Sequence, residues 1–370
     1  MVALIVQQLR RRPGRALLSV FGMFIAVVGL VGLTTLVDGA RRAWDGGLGA
    51  TGADIIVFEY GAIDPFNGSL PRTMGAAIEG VDGVETATPV IMRLSLMQPG
   101  DAQIVLLALP DEAEAWQAFE VVSGTLAMPG QTWPAVIGRS LAEASGLQVG
   151  DAISVLFQEL QIVGLVETGN HLGNHSIHLR MEDAAELLYL EGAASFFSVA
   201  VRPDSDSRAV AAEIVEQLPG VTAAPRREIV GNNQIIALLD GLSWSVSLVA
   251  MVSGTALVAT TMMMNVIERR NELALYKCVG WSNSRVLSLV LGEGAVFGVV
   301  AGLLGTASGF FAAWQIGEID SVRTFLDPGP SVAIGLSGVL ISVLTCLLGA
   351  LLPAWHAMTI QPVAILSRRG

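Results

Sequence analysis

The chain has 370 residues, of which 52% are apolar before its 41 glycines are counted and 15% are charged. Ordinary soluble domains carry about 25% charged residues. This balance, with a mean hydropathy of +0.60, excludes a disordered chain, a nucleic-acid-binding arm and a plain cytosolic enzyme. A membrane protein is the first reading, and the length leaves room for a water-facing part as well.

In chain order, residues 1–15 form a short N-terminal segment with Arg10, Arg11, Arg12 and Arg15. Residues 16–37 are an apolar run long enough to cross a bilayer, whose core of about 30 Å needs about 20 helical residues. A signal peptide has an apolar core of about 7–15 residues and a small-residue cleavage site. Here the run is longer, and Val37-Asp38-Gly39-Ala40 puts an acid where a small residue is wanted. The run reads as a retained anchor.

Residues 38–240 read as a folded α+β domain inserted between the first and second spans. Strand-type runs occupy 53–58, 87–96, 103–109, 135–137, 152–156 and 160–166, with turn signals at Pro99-Gly100-Asp101 and Gly150-Asp151. Helix-type runs occupy 73–78, 140–145 and 181–189, and a βαβ-like stretch follows at 197–201, 207–217 and 221–223. Glu79-Gly80-Val81-Asp82-Gly83-Val84 and Gln217-Leu218-Pro219-Gly220-Val221 each end a helix and enter a strand, which hints at a duplicated helix–strand unit. The domain divides on this reading into a βαβ-type part, about 38–125 plus 195–240, and a small β-rich part, about 126–194.

Three further spans follow at 241–267, 286–314 and 331–355, separated by segments 268–285 and 315–330 and ending in the tail 356–370. The fold class expected is a polytopic α-helical membrane protein with four transmembrane helices and an α+β extracytoplasmic domain between helices 1 and 2. Charge sets the orientation. Ten of the 21 Lys and Arg residues lie in 1–15, 268–285 and the tail, where Arg269, Arg270, Lys277, Arg285, Arg368 and Arg369 join the first four. The inserted domain and the 315–330 loop hold eleven Arg against thirty acids. By the positive-inside rule both termini and the 268–285 loop are cytoplasmic and the large domain lies outside. The two cysteines, Cys278 and Cys346, fall in the cytoplasmic loop and the last span, so no disulfide is expected in the exported part.

Three segments carry a family resemblance. Residues 265–281, Asn-Val-Ile-Glu-Arg-Arg-Asn-Glu-Leu-Ala-Leu-Tyr-Lys-Cys-Val-Gly-Trp, resemble the cytoplasmic coupling segment of MacB/FtsX-like ABC transporter permeases, with Trp281 where a small residue is usual. Pro353-Ala354 through Pro362 and Leu366 is similar to that family's C-terminal ending. Residues 134–142, 146–151 and 160–164 resemble its small β-rich subdomain. The order of one span, a large exported domain and three spans matches too.

Residue chemistry reads beside this. Glu268, Arg269, Arg270 and Glu272 stand at spacings that suit helical ion pairing. Gly280 ends that helix and Ser282 or Asn283 can cap the next. Leu273, Ala274 and Leu275 form an apolar edge that could seat on a partner, the alternative being a basic anchor that only fixes topology. The resemblance implies ATPase coupling by Glu268, Arg269, Arg270, Glu272, Leu273, Leu275, Lys277 and Gly280. Gly294, Gly298 and Gly302 share one helix face, and Ala301, Gly305 and Gly309 another, the pattern of close helix packing. Glu293, the only acid in a span, is expected to play a structural role, reaching toward the cytoplasmic side near Arg285.

His171, His175 and His178 read as solvated histidines on a hairpin arm, and Met262, Met263 and Met264 as packing residues; no metal site is expected, since alternation and the helical step scatter the ligands. Lys277 is the only lysine, and no G-x-x-x-x-G-K-[ST] precedes it. No hydrolase or metalloprotease motif is present either, so the chain is expected to be non-catalytic, with no cofactor of its own. What the resemblance implies is a permease subunit of an ABC exporter or mechanotransmission complex in a bacterial inner membrane. Its partners would be an ATPase subunit that binds ATP and magnesium, a second permease subunit (the same or different), a periplasmic adaptor protein, and membrane lipid, with no nucleic acid. The alternatives are an FtsX-like regulator of a cell-wall hydrolase without transport, and a membrane-anchored scaffold or sensor without an ATPase.

Overall fold

Helical rise carries the first two apolar runs well past the length a bilayer needs. The computed structural model describes residues 13–62, 65–98, 102–232 and 234–360. Arg10, Arg11, Arg12, the Pro99-Gly100-Asp101 turn, the end of the C-terminal motif from Gln361 on, Arg368 and Arg369 lie outside them. Helix α1 (Pro13–Gly49) has 37 residues and, at 1.5 Å per residue, continues twelve residues beyond Val37. In chain order follow β1 (Ile55–Glu59), β2 (Leu70–Pro71), α2 (Met74–Glu79), β3 (Val84–Gln98), β4 (Ala102–Leu109), β5 (Glu120–Gly124), β6 (Pro134–Gly138), α3 (Arg139–Ser145), β7 (Ala152–Val155) and β8 (Gln158–Glu167). Then come α4 (His171–Asn174), β9 (Ser176–Arg180), α5 (Met181–Leu188), β10 (Ala193–Ala194), β11 (Phe196–Val201), α6 (Ser207–Gln217), β12 (Val221–Pro225) and α7 (Arg226–Asn232). The remainder is helical: α8 (Gln234–Glu268), α9 (Arg270–Cys278), α10 (Asn283–Gly317), α11 (Asp320–Arg323) and α12 (Val332–Thr359). Four of these, α1, α8, α10 and α12, are long and apolar enough to cross a membrane.

The chain forms two units: a helical one, up to Val37 with Leu239–Gln315 and from Pro328 on, and an α+β one, Asp38–Leu238 with Ile316–Asp327. In the helical unit small residues decide which helices meet. A Cβ on Gly294, Gly298 or Gly302 would lie 2.8 Å from Ala350 Cβ, 2.6 Å from Val343 Cα and 3.0 Å from Val339 Cα, so this row of α10 lies against α12. On Gly305 and Gly309 it would lie 2.7 Å from Val27 Cβ and 2.9 Å from Val31 Cβ, so the second row lies against α1. Ser342 Oγ donates to Gly298 O at 2.9 Å across the first seam. Helix α8 meets α1 where Ser19 and Thr261 hydroxyls bond, and meets α12 where Gly349 approaches Thr255 O.

In the α+β unit the strands run in the order β12-β1-β11-β3-β4-β9-β6-β8-β5, with β7 bridging β3 and β8. The 15-residue β3 serves two cores. Its first half pairs with β11, from Val84 to Val90, over a core of Ile55, Ile78, Phe197 and Ile214. Its second half pairs with β4, from Ile91 to Met97, over a core of Ile104, Ile137, Ile162 and Ile177. The boundary read from sequence near residue 125 therefore falls inside β3, because turn signals cannot show that one strand passes through both cores. The two similar phrases do occupy like places: α2 leads through Gly83 (φ 86°) into β3, and α6 through Gly220 (φ 93°) into β12.

Candidate functional site

The segment between α8 and α10 turns on one half-buried arginine. Arg269 Nη1 donates to Glu293 Oε1 at 2.8 Å, and Arg269 Nε lies 3.6 Å from Glu272 Oε2. Glu293 therefore pairs with Arg269 on the preceding connection, not with Arg285 as its position in the span suggests. Leu273 is buried in the helical unit's core and Ala274 is buried beside it, so Leu273 anchors α9, where the sequence reading expects it to seat on a partner. Lys277 Nζ donates to Met358 O at 2.7 Å and Ile360 O at 2.9 Å, filling carbonyls left open at the end of α12. Tyr276 stacks on Trp281 with centroids 4.8 Å apart, which gives the unusual tryptophan a packing role. Gly280 has φ 96°, a conformation that favours glycine. What remains outward is a mixed strip of Glu268, Arg270, Glu272, Leu275, Cys278 and Val279. Sequence reasoning missed the Lys277–carbonyl bonds and Glu293's partner, since nothing local signals a contact across 24 or 81 residues.

The histidines are placed otherwise than expected. His175 and His178 are buried, and β9, which carries His178, lies inside the sheet, parallel to β4 and antiparallel to β6. His178 Nε2 donates to Gly173 O at 2.9 Å and Phe119 packs edge-on against the ring at 4.8 Å. Burial pushes the His178 imidazole down to about 4; burial also pushes His175 down to about 4, helped by neighbouring His171 and Arg323. Both are neutral at physiological pH. His171 Nε2 donates to Arg323 O at 2.7 Å. Among the described residues no three His, Cys, Asp or Glu side chains are grouped to hold a metal ion. Met262 is buried in the helical core while Met264 faces outward.

Two family models account for most of the chain: the MacB-like periplasmic core domain over residues 16–217 and the FtsX-like permease C-terminal domain over 244–362. The chain belongs to the MacB/FtsX-like permease family. An uncharacterized ABC transporter permease of Methanocaldococcus jannaschii is 22% identical to it over 97% of this chain and 96% of that protein. One of Mycobacterium tuberculosis is 24% identical over 98% of this chain and 44% of its own length. The macrolide export ATP-binding/permease protein MacB of Bdellovibrio bacteriovorus is 23% identical over 90% of this chain and 57% of its own. The chain thus spans about half the length of two of these relatives. The permease is a membrane protein with four spanning helices and an extracytoplasmic α+β domain.

Proposed function

We propose that the permease is the transmembrane subunit of an ABC-type machine in which ATP hydrolysis by a separate ATPase subunit moves the extracytoplasmic domain, exporting or extracting a hydrophobic or amphipathic substrate. The observation that carries this reading is the anchoring of α9. One side chain ties it to α10 through Glu293, and another ties it to the end of α12 through Met358 and Ile360. A short helix clamped to two spans, with Arg270, Glu272, Leu275 and Val279 turned outward, passes a push on its free face straight into those spans. Glu268, Arg270, Glu272 and Leu275 would meet the ATPase; Arg269, Leu273, Lys277 and Gly280 would hold the lever in place. ATP and magnesium are bound by the partner and supply the energy. A second permease subunit, identical or related, completes the complex. A periplasmic adaptor and membrane lipid are its further partners in this reading. The Lys and Arg residues clustered in 1–15, 268–285 and the tail support an orientation with both termini and α9 in the cytoplasm.

The test is the pair Glu272→Lys and Leu275→Asp. Both sites are exposed, so each variant should insert and purify like the wild type. Reversing a charge desolvated at an interface costs about 2–5 kcal/mol, so co-purification of the ATPase and its stimulated turnover in nanodiscs should fall at least tenfold. Unchanged pull-down and turnover in both variants would overturn the coupling role. Cysteines placed at Ser205 and Ser282 test orientation: an impermeant thiol reagent should reach only the first from outside.

A further inference from the structure

The push taken up by α9 reaches α10 at Glu293 and α12 at Met358 and Ile360. At their other ends these two spans are joined through residues 316–327, and this connection is built into the α+β unit. Connections normally run over a protein's surface with their backbone in water. Here every residue from Val322 to Asp327 is buried or half-buried. Thr324 is 4% exposed, and its hydroxyl donates to Gln103 O at 3.2 Å. His171 Nε2 donates to Arg323 O at 2.7 Å. Asp327 N donates to Gly39 O at 3.3 Å and Arg42 Nη2 donates to Asp327 O at 2.8 Å, fixing the far end to α1. Arg323 pairs with Glu318 at 3.3 Å inside the segment.

The two docking points lie on one pair of strands. Gln103 is on β4, and β9 pairs with β4 only from Val105 on, so Thr324 bonds the strand just short of that pairing. His171 is on α4, which leads directly into β9. Ile104 of β4 and Ile177 of β9 belong to the second of the domain's two cores. In each bond a side chain grips the other element's main chain, which cannot swing aside as a rotamer can. The helices α1 and α8 lead elsewhere along the chain: α1 runs into β1, and α8 follows β12 through α7. Those strands carry Ile55 and Val221, which belong to the first core. The connection between α10 and α12 is thus bonded to the core that the other two spans do not lead into.

We propose that residues 316–327 are a drive strap that carries the displacement of α10 and α12 to the β4–β9 pair of the extracytoplasmic domain, with His171 and Thr324 as the positioning residues that hold it there. This rests on the reading that ATP hydrolysis by a partner ATPase moves the domain, and adds the path by which the motion enters its second core.

The experiment follows one doubly labelled copy of the full chain, assembled with its ATPase in nanodiscs, by fluorescence energy transfer. The dyes sit on cysteines placed at Ser282 and Glu159, both exposed, with Cys278 replaced by serine. Trapping the ATPase with ATP and vanadate should shift the transfer efficiency. Flexible Gly/Ser linkers of about eight residues, inserted after Gln315 and after Asp327, leave the bonds of the strap in place and lengthen only its ties to the spans. They should cut the shift about threefold or more, while co-purification of the ATPase and its turnover stay within about twofold of the wild type. A role in packing alone would not respond to them. His171→Leu with Thr324→Val should cut the shift likewise, and His171→Gln, whose amide can still donate to Arg323 O, should keep it. A shift that survives the linkers would overturn the proposal and route the motion through α1 and α8. The absence of any shift in the wild-type protein would instead overturn the reading on which the strap rests, and the strap with it.

Discussion

Arg269 and Glu293, 24 residues apart, form an ion pair in which the carboxylate is buried and the guanidinium half-buried: their side chains are 14% and 7% exposed and their atoms meet at 2.8 Å. The pair joins the connection after α8 to the interior of α10, two elements whose apolar faces alone would leave their relative rotation loosely set. Removing both charges from such a site is nearly neutral, whereas removing one strands the other.

Arg269→Ala and Glu293→Ala should each therefore destabilise the permease by about 3–5 kcal/mol, while Arg269→Met with Glu293→Leu should stay close to wild type. The check is the fraction remaining monodisperse in detergent after a heating series. A double variant as unstable as either single one would show that the pair does not act as a unit.

The glycines separate by what surrounds them. A Cβ on Gly298 would lie 2.6 Å from Val343 Cα, a backbone atom that cannot step aside, whereas a Cβ on Gly29 meets nothing within 4 Å. Overpacking of this kind costs about 1–3 kcal/mol; replacing a free helical glycine by alanine gains about 0.5–1 kcal/mol. Gly298→Ala should thus lower the melting temperature and Gly29→Ala raise it, measured side by side in the same detergent.

These contrasts mark what could be read from the sequence. The spans, the strands and the glycine rows were legible because each is a periodic pattern within one segment, and span length and i,i+4 spacing are local quantities. Glu293's partner, the Lys277 carbonyl contacts and the double service of β3 were not, because each depends on which distant segment packs alongside. The histidines failed for a related reason. Ser176-Ile177-His178-Leu179-Arg180 alternates like a half-exposed strand, yet neighbours on both sides and Phe119 against the ring make β9 interior.

That burial has a pH signature. His178 is held near 4 in the folded protein against about 6.5 unfolded, so between those values the unfolded chain binds a proton that the folded one refuses. Stability is full above about pH 6.5 and falls as pH drops toward 4, by roughly 3 kcal/mol for His178; His175 acts in the same direction. Protonation would also place an N–H at His178 Nδ1, which has no acceptor among the described residues. Unfolding of the extracytoplasmic domain, followed between pH 7 and pH 4.5, should show this loss, and His178→Phe should flatten the slope. A slope that is unchanged in His178→Phe would assign the pH dependence to other groups.

The β7–β8 turn makes the sharpest claim about stability. Leu156 and Phe157 both hold positive φ, which for residues with a Cβ costs about 1–2 kcal/mol each. Asn and Gly remove most of that strain, although glycine at 157 also widens the unfolded ensemble by about 0.4–1 kcal/mol. The strain relief is the larger effect, so Leu156→Asn with Phe157→Gly should stabilise the hairpin by about 1 kcal/mol. The opposite change, Gly146→Ala at φ 68°, should cost about as much. Hydrogen exchange of amides in β7 and β8 reads the local effect, with slower exchange expected in the Asn-Gly variant. If exchange is faster instead, the two apolar residues stabilise the hairpin, and their exposure then has an explanation within the fold. If it is slower, the wild-type turn is less stable than its own geometry permits, and the strain at Leu156 and Phe157 is not repaid by their packing.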